Sequence, residues 1–143
     1  MTTQLCAYLS YDGRCAEAMA FYAEVLGARL EALITYAQMP GGEATPPEHA
    51  QRIAHAYLVH PDFALMAGDT PPGVPFNGIQ GTMMAITFPT VAEAQRVFQA
   101  FAEGGRVTMP LAETFWADTF GMLTDRFGTP WGINGGPREM PTS

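Results

Sequence analysis

The chain has 143 residues with seven Lys plus Arg against fourteen Asp plus Glu, a formal charge of -7, which argues against a sequence-independent grip on nucleic acid phosphates or on an acidic membrane surface. A chain of this length is one ordinary domain that buries roughly 68–70% of its unfolded surface without staples. No apolar stretch approaches the ~20 residues that span a bilayer, and Met1-Thr2-Thr3-Gln4 lacks the basic start of a signal peptide, so a cytoplasmic location is expected. Gln4 to Tyr11 opens the chain as a strand, apolar on both faces and therefore expected to be covered on each side. After the turn Asp12-Gly13, the residues Met19, Tyr22, Val25 and Leu26 recur at helical spacing over Ala16 to Leu26, with Gly27 as the stop. A short strand ending at Met39-Pro40, a Gly/Pro-rich excursion over Gly41 to Glu48, and two strands, Arg52 to Val59 and Phe63 to Ala67, paired across His60-Pro61-Asp62, complete the first half.

Thr70 to Gly81 reads as a linker, after which the pattern begins again. Ala16-Glu17-Ala18, Phe21-Tyr22 and Gly27-Ala28-Arg29-Leu30 return as Ala92-Glu93-Ala94, Val97-Phe98 and Gly104-Gly105-Arg106-Val107. Thr82 to Phe88 is the second opening strand. Thr90-Val91-Ala92-Glu93 is a capping box, and Val97, Phe98 and Phe101 are the buried stripe of the second helix. A strand ending at Met109-Pro110 follows, then strands over Thr114 to Thr124 and Pro130 to Asn134 around Asp125-Arg126-Phe127-Gly128. Two copies are too few for a solenoid. The expectation is a single domain of two half-repeats, about 4–69 and 80–135, each strand, helix, three strands. Such sheets are apolar on the helix side and can curve around a cavity on the other.

That order resembles the vicinal oxygen chelate superfamily, which includes glyoxalase I, bleomycin-resistance proteins and extradiol dioxygenases. The PhnB-like branch is closer, carried by Tyr11-Asp12-Gly13, Leu65-Met66 with Asp69, Gly104 to Leu111, Glu113-Thr114-Phe115-Trp116, Phe120-Gly121, Asp125-Arg126-Phe127-Gly128, Trp131 and Asn134. The resemblance implies an α+β fold of two βαβββ repeats forming a curved mixed sheet around a cavity, and a homodimer, the commonest symmetric assembly. Arg14 departs from the branch, which commonly has Asn there, so the first helix must be capped differently. The superfamily's enzymes usually hold a divalent metal through His or Glu on the first and last strand of each half. Here those positions fall near Ala7, Met66, Thr82 and Gly132, and a slip of one residue adds no His or carboxylate. No metal site is expected, and no other cofactor.

His55, on a central strand, reads either as a core histidine bonded to a neighbour or as a pocket donor or base. His49 and His60 are expected in solvent, and Cys6 and Cys15 as reduced thiols. In Glu113 to Asp118, strand alternation places Glu113, Phe115 and Ala117 on one face and Thr114, Trp116 and Asp118 on the other. Tyr8, Trp116, Phe120, Met122 and Trp131 are candidates for lining an apolar ligand pocket, with core packing as the alternative. Nine methionines suit an adaptable cavity or simply fill core gaps. The expected function is metal-free binding of a small apolar or aromatic molecule. The alternatives are a lyase, isomerase or transferase using His55, Glu113 or Asp118 as acid and base, or a metal-dependent glyoxalase- or dioxygenase-type enzyme. Methyl transfer is disfavoured, because no strand leads through a glycine-rich turn into a helix that would hold an S-adenosyl cofactor.

Overall fold

The computed structural model describes residues 2–139, so Met1 of the opening segment lies outside it. The chain divides into two compact units, Met1–Gly78 and Ile79–Ser143. In the first, β1 (Tyr8–Tyr11), α1 (Cys15–Leu26), β2 (Arg29–Thr35), β3 (Ile53–His60) and β4 (Phe63–Asp69) follow in order; in the second, β5 (Met84–Phe88), α2 (Val91–Ala102), β6 (Arg106–Ala112), β7 (Ala117–Thr124) and β8 (Pro130–Pro137). Both units are therefore βαβββ, and the fold is α+β. The strands form two four-stranded mixed sheets, one in each unit, ordered β1-β4-β3-β2 and β5-β8-β7-β6. In each, the first strand lies parallel to the last and the remaining pairs are antiparallel.

One helix covers one face of each sheet. α1 buries Cys15, Ala18, Met19, Tyr22 and Leu26, the i, i+3, i+4, i+7, i+11 stripe, and packs on β2, β3 and β4. Gly27, at φ 68°, ends it in the left-handed conformation that costs other residues a steric penalty. α2 buries Ala94, Val97, Phe98 and Phe101 and lies so close to β7 and β8 that one facing position on each strand holds glycine. A Cβ at Gly121 would stand 2.8 Å from the Phe98 ring, and one at Gly135 2.6 Å from Ala94 Cβ.

The helix starts differ. Thr90 Oγ1 accepts from Glu93 N at 3.2 Å, half of the expected box, while the Glu93 carboxylate meets the Thr90 hydroxyl itself at 3.1 Å. Arg14 gives α1 no side-chain cap. Its place is taken from β4: Asp69 Oδ1 accepts from Gly13 N (2.8 Å) and Cys15 N (3.1 Å), and Oδ2 accepts from Ile53 N (2.8 Å).

Several strand boundaries depart from expectation. β1 begins only at Tyr8; Leu5 is 98% exposed and Tyr8 52%, so only one face of this strand is covered. β5 likewise starts at Met84. β2 stops at Thr35, which forms a reciprocal box with Gln38 and turns the chain into a 3-10 helix at Tyr36–Gln38, leaving Met39-Pro40 beyond the strand. β6 instead runs through Met109-Pro110, which an edge strand with register shifts tolerates. The 41–48 stretch contains a 3-10 turn at Gly42–Ala44.

Candidate functional site

In the second unit, strand parity decides which side chains meet α2. Ala117, Thr119, Gly121 and Leu123 are buried, and Trp131, Ile133 and Gly135 share their face on β8. Asp118, Phe120 and Met122 therefore stand on the opposite, open face, with Gly132, Asn134 and Gly136 beside them. The register sets Phe120 against Asn134 and Met122 against Gly132. Trp116 completes the group: its indole Nε1 donates to Asn134 Oδ1 at 2.8 Å, and its ring meets Phe120 edge-on at 5.3 Å between centroids. Phe115, 66% exposed, packs edge-on against Trp116 at 4.9 Å. Glycine at 132 lets the Met83 side chain and the Phe120 ring lie close over the strand, since a Cβ there would stand 2.9 Å from Met83 Cε and 3.4 Å from Phe120 Cε1. The result is an aromatic wall around one amide.

The loop carrying Trp116 is not the strand that alternation implied. Thr114 N donates to Ala117 O, and Ala117 N donates back to Thr114 Oγ1, closing a turn that takes Glu113 to Trp116 out of the ladder. Arg138, which the sequence reading missed, ties this turn down. Its Nε donates to Asp118 Oδ1 at 2.8 Å, its Nη1 to Thr114 O at 2.9 Å, its Nη2 pairs with Glu113 Oε2 at 3.2 Å, and its backbone N donates to Trp116 O. The bonds to Asp118 and then Glu113 hold the guanidinium above its ordinary range. Glu113 and Asp118, both read as acid–base candidates, are thus brought together as partners of one arginine.

Parity separates Trp131 from Trp116, Phe120 and Met122. It lies opposite Leu123 on the helix side, 4.7 Å from the Phe101 ring, and its Nε1 donates to Asp125 Oδ2 at 2.9 Å. Asp125 is itself buried and also accepts from Phe127 N and Thr129 N through Oδ1.

In the first unit, His55 stands half-buried on β3, its ring stacked on Tyr8 at 5.9 Å and 23°. Neither ring nitrogen has a hydrogen-bond partner among the described residues, so the neighbour-bonded core histidine is not found. Tyr8 donates its hydroxyl to Ala54 O at 3.0 Å, and burial, then Cys15 and Tyr36, hold its phenol above the usual range. His49 and His60 are half-buried, not solvated as expected; His60 Nδ1 accepts from Asp62 N, and its ring lies flat on Phe63 at 4.4 Å. Cys6 and Cys15 are unbonded to each other.

The donor set for a metal does not fit. Tyr8 stands opposite Met66, and Ala85 opposite Gly132, on the first and last strands of the two units. Among the described residues no group of three or more His, Cys, Asp or Glu is placed to hold an ion.

Comparison with known proteins agrees with this architecture. Protein YjdN of Escherichia coli (strain K12) is 34% identical over 138 residues, 91% of this chain and 93% of YjdN. The crystal structure of protein PA1353 from Pseudomonas aeruginosa matches at a TM-score of 0.87 and 44% identity, over 94% of this chain and 98% of that one. The PhnB protein from Bacillus cereus, a putative 3-demethylubiquinone-9 3-methyltransferase, shares the fold at a TM-score of 0.77 and 22% identity, over 93% and 99% of the two chains. The family model of the Glyoxalase/Bleomycin resistance protein/Dioxygenase superfamily matches residues 6–133, and with the paired βαβββ units this chain belongs to that superfamily.

Proposed function

We propose that this chain is a PhnB-like member of the superfamily that binds a small, partly aromatic molecule on the open face of its second sheet, without a metal held by its own side chains. The observation that carries the reading is the aromatic wall of Trp116 and Phe120, fixed by the bond to Asn134. The absence of His and carboxylate at the strand positions where the superfamily places ligands supports the metal-free part. Methyl transfer, the activity given for the Bacillus cereus relative, finds no support here: the turn from β1 to α1 holds one glycine and that from β5 to α2 none. A homodimer and a cytoplasmic location remain part of the proposal. The test is a thermal-melt screen of small aromatic compounds with and without a chelator, alongside elemental analysis. The expected result is a ligand-dependent rise in Tm that the chelator leaves unchanged. Stoichiometric metal whose removal abolishes binding would overturn the reading.

A second reading, a lyase, isomerase or transferase using His55 as acid or base, is favoured by its unbonded ring nitrogens beside the Tyr8 phenol. It requires turnover that His55→Gln abolishes while ligand binding survives.

A further inference from the structure

Trp116 fixes more than its own position. An indole nitrogen can only donate, so the Asn134 side chain must turn its carbonyl oxygen toward it, and the 2.8 Å bond sets the amide's orientation without ambiguity between O and N. The Nδ2 group is thereby turned away with both of its hydrogens. Among the described residues nothing accepts from it, and it is not a buried unpaired atom. On the strand, Asn134 is flanked at two residues' distance by Gly132 and Gly136, and across the ladder by Phe120 and Thr87. The sheet thus presents an oriented N–H donor pair beside the rings of Trp116 and Phe120, with Thr87 across the ladder.

Charge narrows what can approach. Asp118 lies over Gly136, where a Cβ would run into its carboxylate. Arg138 supplies one positive charge to the two negative charges of Asp118 and Glu113, so the group retains a net negative charge. An anionic ligand is disfavoured by that surplus, and a neutral acceptor is not.

Resting on the binding reading above, we propose that Asn134 Nδ2 is the orienting donor of this site and that its ligand class is a neutral, planar, apolar molecule carrying one carbonyl acceptor, a ketone or an amide. Trp116 serves as the positioning residue for that amide, and the aromatic edges of Trp116 and Phe120 take the ligand's body.

Acetophenone, ethylbenzene and benzoate test this directly, because they share a ring and differ in the acceptor. Titrations of the full chain followed through the Trp116 indole and Asn134 side-chain amide resonances should give acetophenone about tenfold tighter than ethylbenzene, with benzoate weaker than acetophenone. The Asn134 amide protons should move downfield with acetophenone, as a hydrogen bond requires, and not with ethylbenzene. Asn134→Asp keeps an acceptor for Trp116 and removes both donors; it should erase the acetophenone advantage and leave ethylbenzene within about twofold. Should that variant not fold, Trp116→Phe frees the amide to rotate and should reduce the same advantage several-fold. Equal affinity for acetophenone and ethylbenzene in the unaltered protein overturns the donor assignment but leaves the binding reading standing. Benzoate binding tightest overturns the neutral-ligand class. If none of the three binds, the binding reading fails and the inference fails with it.

Discussion

Helices α1 and α2 are each 12 residues long and occupy the same place in their halves, yet their first turns are held from different distances. α2 is capped by Thr90, its immediate neighbour, whereas α1 is capped by Asp69, which lies 54 residues beyond Cys15 and also holds Ile53 on β3. The second half has its own buried carboxylate, but Asp125 sits in the β7–β8 hairpin and accepts from Phe127, Thr129 and Trp131, the last of them six positions away. One half therefore joins helix, third strand and last strand through a single side chain, and the other distributes the work over two local devices. The comparison shows that a duplicated fold constrains where strands and helices run far more than it constrains which atoms satisfy their ends.

Removing the long-range carboxylate tests that contrast most severely. Asp69→Ala leaves three backbone donors without an acceptor, two of them buried, and should cost about 4 kcal/mol, lowering Tm by on the order of 10 °C in a thermal melt. Asp125→Ala should cost less, about 3 kcal/mol by chemical denaturation, because a local hairpin relaxes more easily toward water. The Trp131 indole N–H resonance should then move upfield while that of Trp116 keeps its position. Thr90→Ala should cost only about 1 kcal/mol, the ordinary value for a local cap, and equality with Asp69→Ala would erase the contrast.

At neutral pH the smallest difference comes from Cys15, which is fully buried. Burial, and secondarily the Asp69 carboxylate, push its thiol from the ordinary 9.0 up to about 12. A thiol whose folded-state value stands above its unfolded one contributes stability in full below about pH 9 and loses it as pH rises toward 12. Melts should therefore fall across that alkaline window, and less so in Cys15→Ala. At pH 8 a thiol reagent should modify the half-buried Cys6 well before Cys15.

The sequence displays these devices unequally. The two helices, their stripes, the Gly27 stop and the βαβββ order follow from periodicity and turn residues, since each is encoded within a few positions. Thr90 and Glu93 are legible for the same reason. Asp69 as the cap of α1 is not, because local rules do not look 54 residues ahead; the missing Asn at Arg14 is the signal that something distant must act. In the site, Phe120 and Met122 follow from strand alternation. The same rule carried too far puts Glu113 to Trp116 on a strand, although the Thr114 hydroxyl that closes their turn is visible in the chain. Trp131 alternates with Gly132 and Asn134, and its pairing with Ile133 on the covered side could have told it apart from Trp116. Asn134 stands out only once its two glycine neighbours and its register with Phe120 are known.

The reach of Asp69 has a consequence in time. The amides of Gly13 and Cys15 acquire their acceptor only after β1, α1, β2 and β3 have been laid down and β4 has docked beside β1, so the start of α1 is completed by closure of a loop of more than fifty residues. On a ribosome, that helix stays unfinished until residue 69 has emerged, whereas α2 has its cap in hand before its first turn is made. Hydrogen exchange during refolding should record the order, with protection at Glu93 N preceding protection at Cys15 N.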